Sequence, residues 1–262
     1  MSYESVILDE QNYGGLPFCY YPLDEANGTV ANDLMDRAKG TNNSGAYVGT
    51  PALDVQPSPI SREANGWTTF NGSSQYVNVG TLGTLGANLA NGLTVEMWLK
   101  SSVTNALQCV FGIIGASLKP AILVTLNSNI NGNALAGYIR TVLYDTNGLR
   151  LESHLGYNTG ITDGNVHHLA VTFLPGSNAI TVAVDGAAAS VAYAYRQTPA
   201  AWGNLPVAAC IGCRNNSGTF QQFFNGSLGR AAIYNYVLAA SRVTAHYLAG
   251  LNGTTNKRLL MG

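Results

Sequence analysis

Short runs of alternating apolar and polar residues, cut at close intervals by Gly and Asn, set the pattern of this chain. The clearest run is Leu93-Thr94-Val95-Glu96-Met97-Trp98-Leu99-Lys100. Successive strand side chains point to opposite faces. The run therefore predicts Leu93, Val95, Met97 and Leu99 in a core, and Thr94, Glu96, Trp98 and Lys100 on the other side. His167-His168-Leu169-Ala170-Val171-Thr172-Phe173 and Ile180-Thr181-Val182-Ala183-Val184-Asp185-Gly186 read as two strands joined by the turn Pro175-Gly176-Ser177-Asn178. Further strands are expected over 120–126, 137–144 and 149–155, with Asn147-Gly148 supplying the positive φ of a hairpin. Residues 51–63 carry three prolines and are expected to form a long loop. One segment, 239–249, has helical character, with Gly250 as its cap. Many short strands between turns are the signature of an antiparallel β-sandwich or barrel. The expected organisation is a single domain over 1–250 and a tail over 251–262.

Composition narrows the partners. Charged residues make up 10% of the chain, against about a quarter in ordinary domains. Such a surface suits hydrogen bonding to neutral partners or close packing against other protein. A net charge of −1 without a basic cluster in the sequence argues against nucleic acid. No run approaches the ~18 apolar residues of a membrane span. The N-terminus lacks the basic start and apolar stretch of a secretory signal, so synthesis in a cytoplasm is expected. Cys19, Cys109, Cys210 and Cys213 are expected as core thiols. The Cys210-Ile211-Gly212-Cys213 spacing has no second pair to complete a zinc site. Val6-Ile7-Leu8 and Leu259-Leu260-Met261 place apolar groups at the two ends, where chains fray unless tied down. Both ends are expected to act as interaction elements and to promote self-association.

Several segments, in order, resemble LamG-like, concanavalin A-type jelly rolls. Tyr20-Tyr21-Pro22-Leu23-Asp24-Glu25-Ala26-Asn27-Gly28-Thr29 is similar to the family's opening strand and turn, and Phe70-Asn71-Gly72-Ser73-Ser74-Gln75-Tyr76-Val77 to a later strand. Asp163-Gly164-Asn165-Val166-His167-His168-Leu169-Ala170-Val171-Thr172 resembles its double-histidine strand, with Val166 in place of a tryptophan. Phe224-Asn225-Gly226-Ser227-Leu228-Gly229-Arg230-Ala231-Ala232-Ile233-Tyr234-Asn235 resembles its closing strand. The resemblance spans residues 18 to 250 and implies an all-β jelly-roll sandwich followed by a short C-terminal helix. The opening Tyr3-Glu4-Ser5-Val6-Ile7-Leu8 resembles the start of such domains in structural proteins of tailed phages. That resemblance implies a virion component, in the capsid or the tail, with viral capsid or tail proteins as partners.

The scaffold also hosts glucanases, whose retaining chemistry needs two carboxylates ~5 Å apart. On its strand Glu96 stands alone, flanked by Thr94 and Trp98, so no catalytic residue is expected and Glu96→Gln should leave the fold intact. Asp33 and Asp36, with Asn42 and Asn43, could supply part of a calcium cage. The resemblance puts Gly229 and Arg230 where relatives carry a calcium-linked acidic pair, so no metal or other cofactor is expected. Asp33 and Asp36 then order their loop through bonds to backbone. Sugar binding needs an aromatic platform beside polar groups. Trp98, Glu96, His168 and Thr172 meet that description on adjacent strands, with Trp67 and Trp202 as other aromatics; the competing reading makes Trp98 part of the packing. His167 and His168 face opposite ways and cannot share a metal. The resulting expectation is a non-enzymatic virion protein of a tailed phage, with binding of surface glycans as an added role. A free lectin or adhesin module is the alternative, and a glucanase a distant third.

Overall fold

The computed structural model describes residues 2–39, 43–61, 63–82, 85, 89–114, 119–129, 133–156, 159–174, 178–201, 208–216 and 218–252. Two antiparallel sheets face each other. One has eight strands, in the order β14 (Ala187–Ala189), β13 (Ala179–Val184), β12 (Val166–Leu174), β7 (Leu93–Lys100), β19 (Asn225–Tyr234), β5 (Trp67–Asn71) and β4 (Ala52–Val55), with β1 (Cys19–Tyr21) also paired to β19. The other has nine: β15 (Ala192–Arg196), β11 (Arg150–Leu155), β10 (Ala134–Tyr144), β9 (Ala121–Ser128), β8 (Gln108–Ile114), β16 (Ala208–Ile211), β6 (Tyr76–Thr81), β3 (Gly45–Val48) and β2 (Val30–Ala31). A hairpin, β17 (Arg214–Asn216) with β18 (Thr219–Gln221), follows β16 and packs over β8.

The alternation along β7 sets the core. Leu93, Val95, Met97 and Leu99 point between the sheets, where they join Ile122, Val124 and Leu126 of β9 and Ile139 and Leu143 of β10. The expected strands over 120–126, 137–144 and 149–155 are β9, β10 and β11, and Gly148 turns the β10–β11 hairpin with φ +83°.

Several local features differ from expectation. Residues 51–63 include an edge strand, β4, paired with β5. Tyr3–Leu8 forms a helix capped by the Ser2 side chain, with Tyr3 and Ile7 fully buried. The C-terminal helix, Ala240–Asn252, runs past the expected cap, and Gly250 lies inside it. The reason is contact: a Cβ at Gly250 would overlap the Trp98 ring, whose Cη2 lies 2.8 Å from that position. Gly250 serves a close approach of helix to sheet, not a turn. The turn residues Pro175, Gly176 and Ser177, together with Asn42, Trp202 and the tail Leu259-Leu260-Met261, lie outside the described residues.

Both end helices cover the outer face of the eight-stranded sheet. Small residues prepare their seat: Glu96 is paired across the strands with Ala170 and Ala232, and Ala183 lies beyond. Tyr3, Ile7, Leu238 and Val243 pack there with Trp98 and Tyr234 in a second apolar cluster.

Candidate functional site

The outward side chains of β7 and β12 meet the two ends of the chain under these helices. Glu96 Oε1 accepts from the Tyr3 hydroxyl at 3.2 Å and from His168 Nε2 at 2.7 Å. His246, on the C-terminal helix, donates from Nδ1 to both Glu96 oxygens at 3.0 Å and from Nε2 to Glu10 at 2.9 Å. Arg242, one turn earlier, donates to the same Glu10 oxygen at 2.6 Å. Glu10, Glu96, His168 and His246 are all completely buried. Both nitrogens of His246 face carboxylates, so the ring is an imidazolium. Two carboxylates then balance one imidazolium and one guanidinium.

The pKa shifts follow from that balance. Burial alone raises the Glu96 pKa, but the His246 charge and the bonds from His168 and His246 outweigh it and hold the carboxyl well below the usual carboxylate range. Burial lowers His246, yet Glu96 and Glu10 together push it up to about 9. The structure thus supplies Glu96 with the second carboxylate that its own strand lacks, but a histidine bridges the pair and both acids are completely buried. Glu96 bonds to both end helices, so Glu96→Gln should loosen their docking rather than cost only a local hydrogen bond.

Trp98 stacks on Tyr247 with centroids 5.9 Å apart and meets His168 at 5.0 Å. Trp98, Glu96 and His168 share one face, as expected, but that face is roofed by the helices and offers no open platform. Thr172, the fourth expected residue, lines a pocket of about 220 Å³ beside the start of the C-terminal helix, with Ala170, Thr181, Ala183, Gly186 and Val243. His167 faces the other way and is held by Asp185 at 2.9 Å and Asp163 at 3.0 Å. These bonds, that from Asp185 foremost, raise its pKa against burial. Among the described residues no group of three or more His, Cys, Asp or Glu is arranged to hold a metal ion.

The acidic loop is spent on its own backbone. Asp33 Oδ1 accepts from the Tyr20 and Met35 amides at 2.7 and 2.9 Å. Asp36 accepts from the Asn43 and Ser44 amides at 2.7 and 2.9 Å. Burial raises Asp33 to about 6. At Arg230, β19 shifts register and φ is +56°, a bulge that re-aims the side chain. The guanidinium is 2% exposed and sits among Glu63 at 2.9 Å, Asp24 at 3.3 Å and the carbonyls of Pro22, Asn65 and Gly66. A hard cation uses such an oxygen set; here the cation belongs to the protein. The four cysteines are buried free thiols, and Trp67 is 3% exposed.

The outer face of the nine-stranded sheet is built differently. Alternation along β10 brings Tyr138, Arg140, Val142 and Tyr144 to one side, the side opposite the core residues Ile139 and Leu143. Across the strands Arg140 meets His154, Val142 meets Glu152, and Tyr144 meets Arg150. A cleft of about 440 Å³ opens there, lined by Asn129, Leu135, Tyr138, His154, Leu155, Gly156, Ser190 and Ala192. The Tyr138 ring lies over Gly156, where a Cβ would come within 3.2 Å of it. The sequence reading missed this face, although the same alternation within 137–144 marks it.

Comparison with known proteins places the fold. The chain is similar to the receptor binding domain of botulinum neurotoxin C/D mosaic serotype, with TM-score 0.59 and 11% identity over 88% of this chain. It is also similar to the botulinum neurotoxin serotype D ligand binding domain solved in complex with N-acetylneuraminic acid, with TM-score 0.56 and 12% identity over 94% of this chain. The chain spans about half the length of those structures, 51% and 52% respectively. At such identities the likeness is one of fold. No curated protein sequence matches the chain. The profile described as concanavalin A-like lectin/glucanases superfamily matches residues 71–244, most of both sheets, and this chain belongs to that superfamily.

Proposed function

We propose that this chain is a single-domain, non-enzymatic jelly-roll module that binds glycans and serves as a structural component of a tailed-phage virion. One contrast carries the binding reading. The acidic centre of the eight-stranded sheet is sealed and charge-balanced, while the nine-stranded sheet keeps an open cleft lined by Tyr138, His154 and Asn129. An aromatic ring beside polar groups is what sugar recognition asks for, and the histidine-bridged carboxylate pair is completely buried, out of reach of a glycosidic bond. A similar fold solved with N-acetylneuraminic acid supports the same reading. In this reading Trp98, Glu96 and His168 secure the scaffold, and the sugar binds on the opposite sheet.

The virion role, in capsid or tail, rests on the N-terminal resemblance and on the weakly charged composition. Leu248 and Leu251 also stand 47% and 45% exposed on the last turns of the C-terminal helix, offering apolar contacts for assembly. Among the described residues no helix is long and apolar enough to cross a membrane.

A glycan array, a reducing-sugar assay on the bound glycans and electron microscopy of labelled particles test these statements together. Binding without sugar release, lost in Tyr138→Ala, is expected, with label on particles. Binding without particle label favours a free lectin or adhesin. Sugar release overturns the non-enzymatic reading, and an array without hits overturns glycan binding.

A further inference from the structure

The outer face of the nine-stranded sheet holds a charge imbalance. Arg140 Nε donates to Glu152 Oε1 at 2.7 Å, and Arg150 pairs with the other Glu152 oxygen. Glu152 is fully buried, whereas the side chains of Arg140 and Arg150 keep 15% and 17% exposure. A third arginine, Arg214, arrives from β17. β17 packs over β8, whose Cys109 stands across from Thr125, itself paired with Arg140; burial first, and the Arg140 charge as well, lower the Arg214 pKa. Among the described residues Arg214 has no carboxylate partner. The neighbouring acid, Asp145, is occupied by the amides of Leu149, Ala200 and Ala201. Arg140 and Arg150 thus share one carboxylate and Arg214 adds a further positive charge, in a chain whose 13 basic residues are outnumbered by 14 acidic ones.

The arginines are also oriented. The Arg150 guanidinium lies over the rings of Tyr195, at 3.9 Å, and Tyr144, at 5.0 Å. Stacking fixes the plane of the fork and leaves its edge for in-plane acceptors. Nε of Arg150, Nε of Arg214 and Nδ1 of His154 are buried beneath this face and have no hydrogen-bond partner among the described residues. Arg140 is cross-strand neighbour to His154, which lines the cleft. The cleft and the arginine row therefore form one continuous surface, in which Tyr138 and the 47% exposed Tyr195 offer rings to a sugar and the arginines offer donors to an anion.

Resting on the glycan-binding reading above, we infer that this surface recognises a carboxylated sugar, with Arg140, Arg150 and Arg214 binding the carboxylate and Tyr138 supporting the ring. Charge-assisted bonds from a guanidinium fork to a carboxylate are the strong member of the hydrogen-bond family.

Calorimetric titration of the intact chain tests this with three probes: an oligogalacturonate, an oligosaccharide ending in N-acetylneuraminic acid, and a neutral cello-oligosaccharide. At least one acidic probe is expected to bind more tightly than the neutral one, more weakly as salt rises, and the pair of acidic probes separates uronic from sialic acid recognition. Arg214→Gln, which breaks no ion pair among the described residues, should lower the acidic affinity about ten- to hundredfold and leave the neutral probe unchanged. Equal binding of acidic and neutral sugars, or an unchanged Arg214→Gln, overturns the inference and leaves glycan binding standing. No binding of any sugar overturns both. Tighter binding of a single-stranded oligonucleotide than of any sugar overturns the carboxylate assignment.

Discussion

Raising the pH from 6 to 9.5 should loosen the docking of both end helices through one residue, His246. Its pKa is about 9 in the folded chain, against 6.5 for the free side chain. A group whose folded pKa is raised contributes stability that is complete below the unfolded value and is lost as pH climbs through the folded one. The difference, 9 − 6.5 = 2.5, corresponds to roughly 3 kcal/mol at 1.36 kcal/mol per unit. His246 is completely buried, so solvent does not screen this figure away. Glu96 acts in the opposite sense: its pKa is depressed, so its contribution is present above the ordinary carboxylate range and fades as pH falls below it. The clamp is therefore strongest between about pH 5 and 6.5. His167 has a raised pKa as well and adds a smaller slope of the same sign. Urea titrations followed by circular dichroism from pH 5 to 10 should show a loss of roughly 3 kcal/mol between pH 6.5 and 9.5, or about 5–10 °C in Tm. His246→Gln should be less stable at pH 6 and keep only the smaller His167 slope over that window. A flat wild-type profile, or the same slope in His246→Gln, refutes the imidazolium bridge.

Three further outcomes follow from the packing. Met97 is 1% exposed between the sheets, so Met97→Ala should cost about 2–5 kcal/mol in a denaturant titration; a loss under about half a kcal/mol contradicts its place in the core. Gly250→Ala should destabilise the chain although Ala favours helices, because the new methyl meets the Trp98 ring; stabilisation in a thermal melt means the helix does not sit on that ring. Asp33 and Asp36 are bonded to backbone amides, so EDTA should leave Tm nearly unchanged, and a drop of about ten degrees or more makes one of them a calcium ligand.

Local sterics account for what the sequence alone determined. The period-two alternation along 93–100 is a property of the strand itself, so Leu93, Val95, Met97 and Leu99 were legible as core, and Asn147-Gly148 as a turn, without knowledge of any partner. The jelly roll was legible because many such short motifs recur in order. The fate of the other face was not. Glu96 reads as a lone acid and Trp98 as either platform or packing, because nothing within their own strand says what will cover them. Their cover comes from Tyr3, 93 positions away from Glu96, and from His246, 150 positions away. The Glu10–His246 bond joins residues 236 apart. Gly250 shows the same limit, since a glycine near a helix end signals a cap until the tryptophan beneath it is known. The arginine row is an intermediate case. Alternation puts Tyr138, Arg140 and Tyr144 on one side of β10, but strand register decides that Glu152, Arg150 and His154 stand beside them, and only the crossing of β17 adds Arg214. Charge balance at a site is a sum over neighbours in space, and those neighbours are chosen by the pairing of sheets and the docking of helices, not by proximity along the chain.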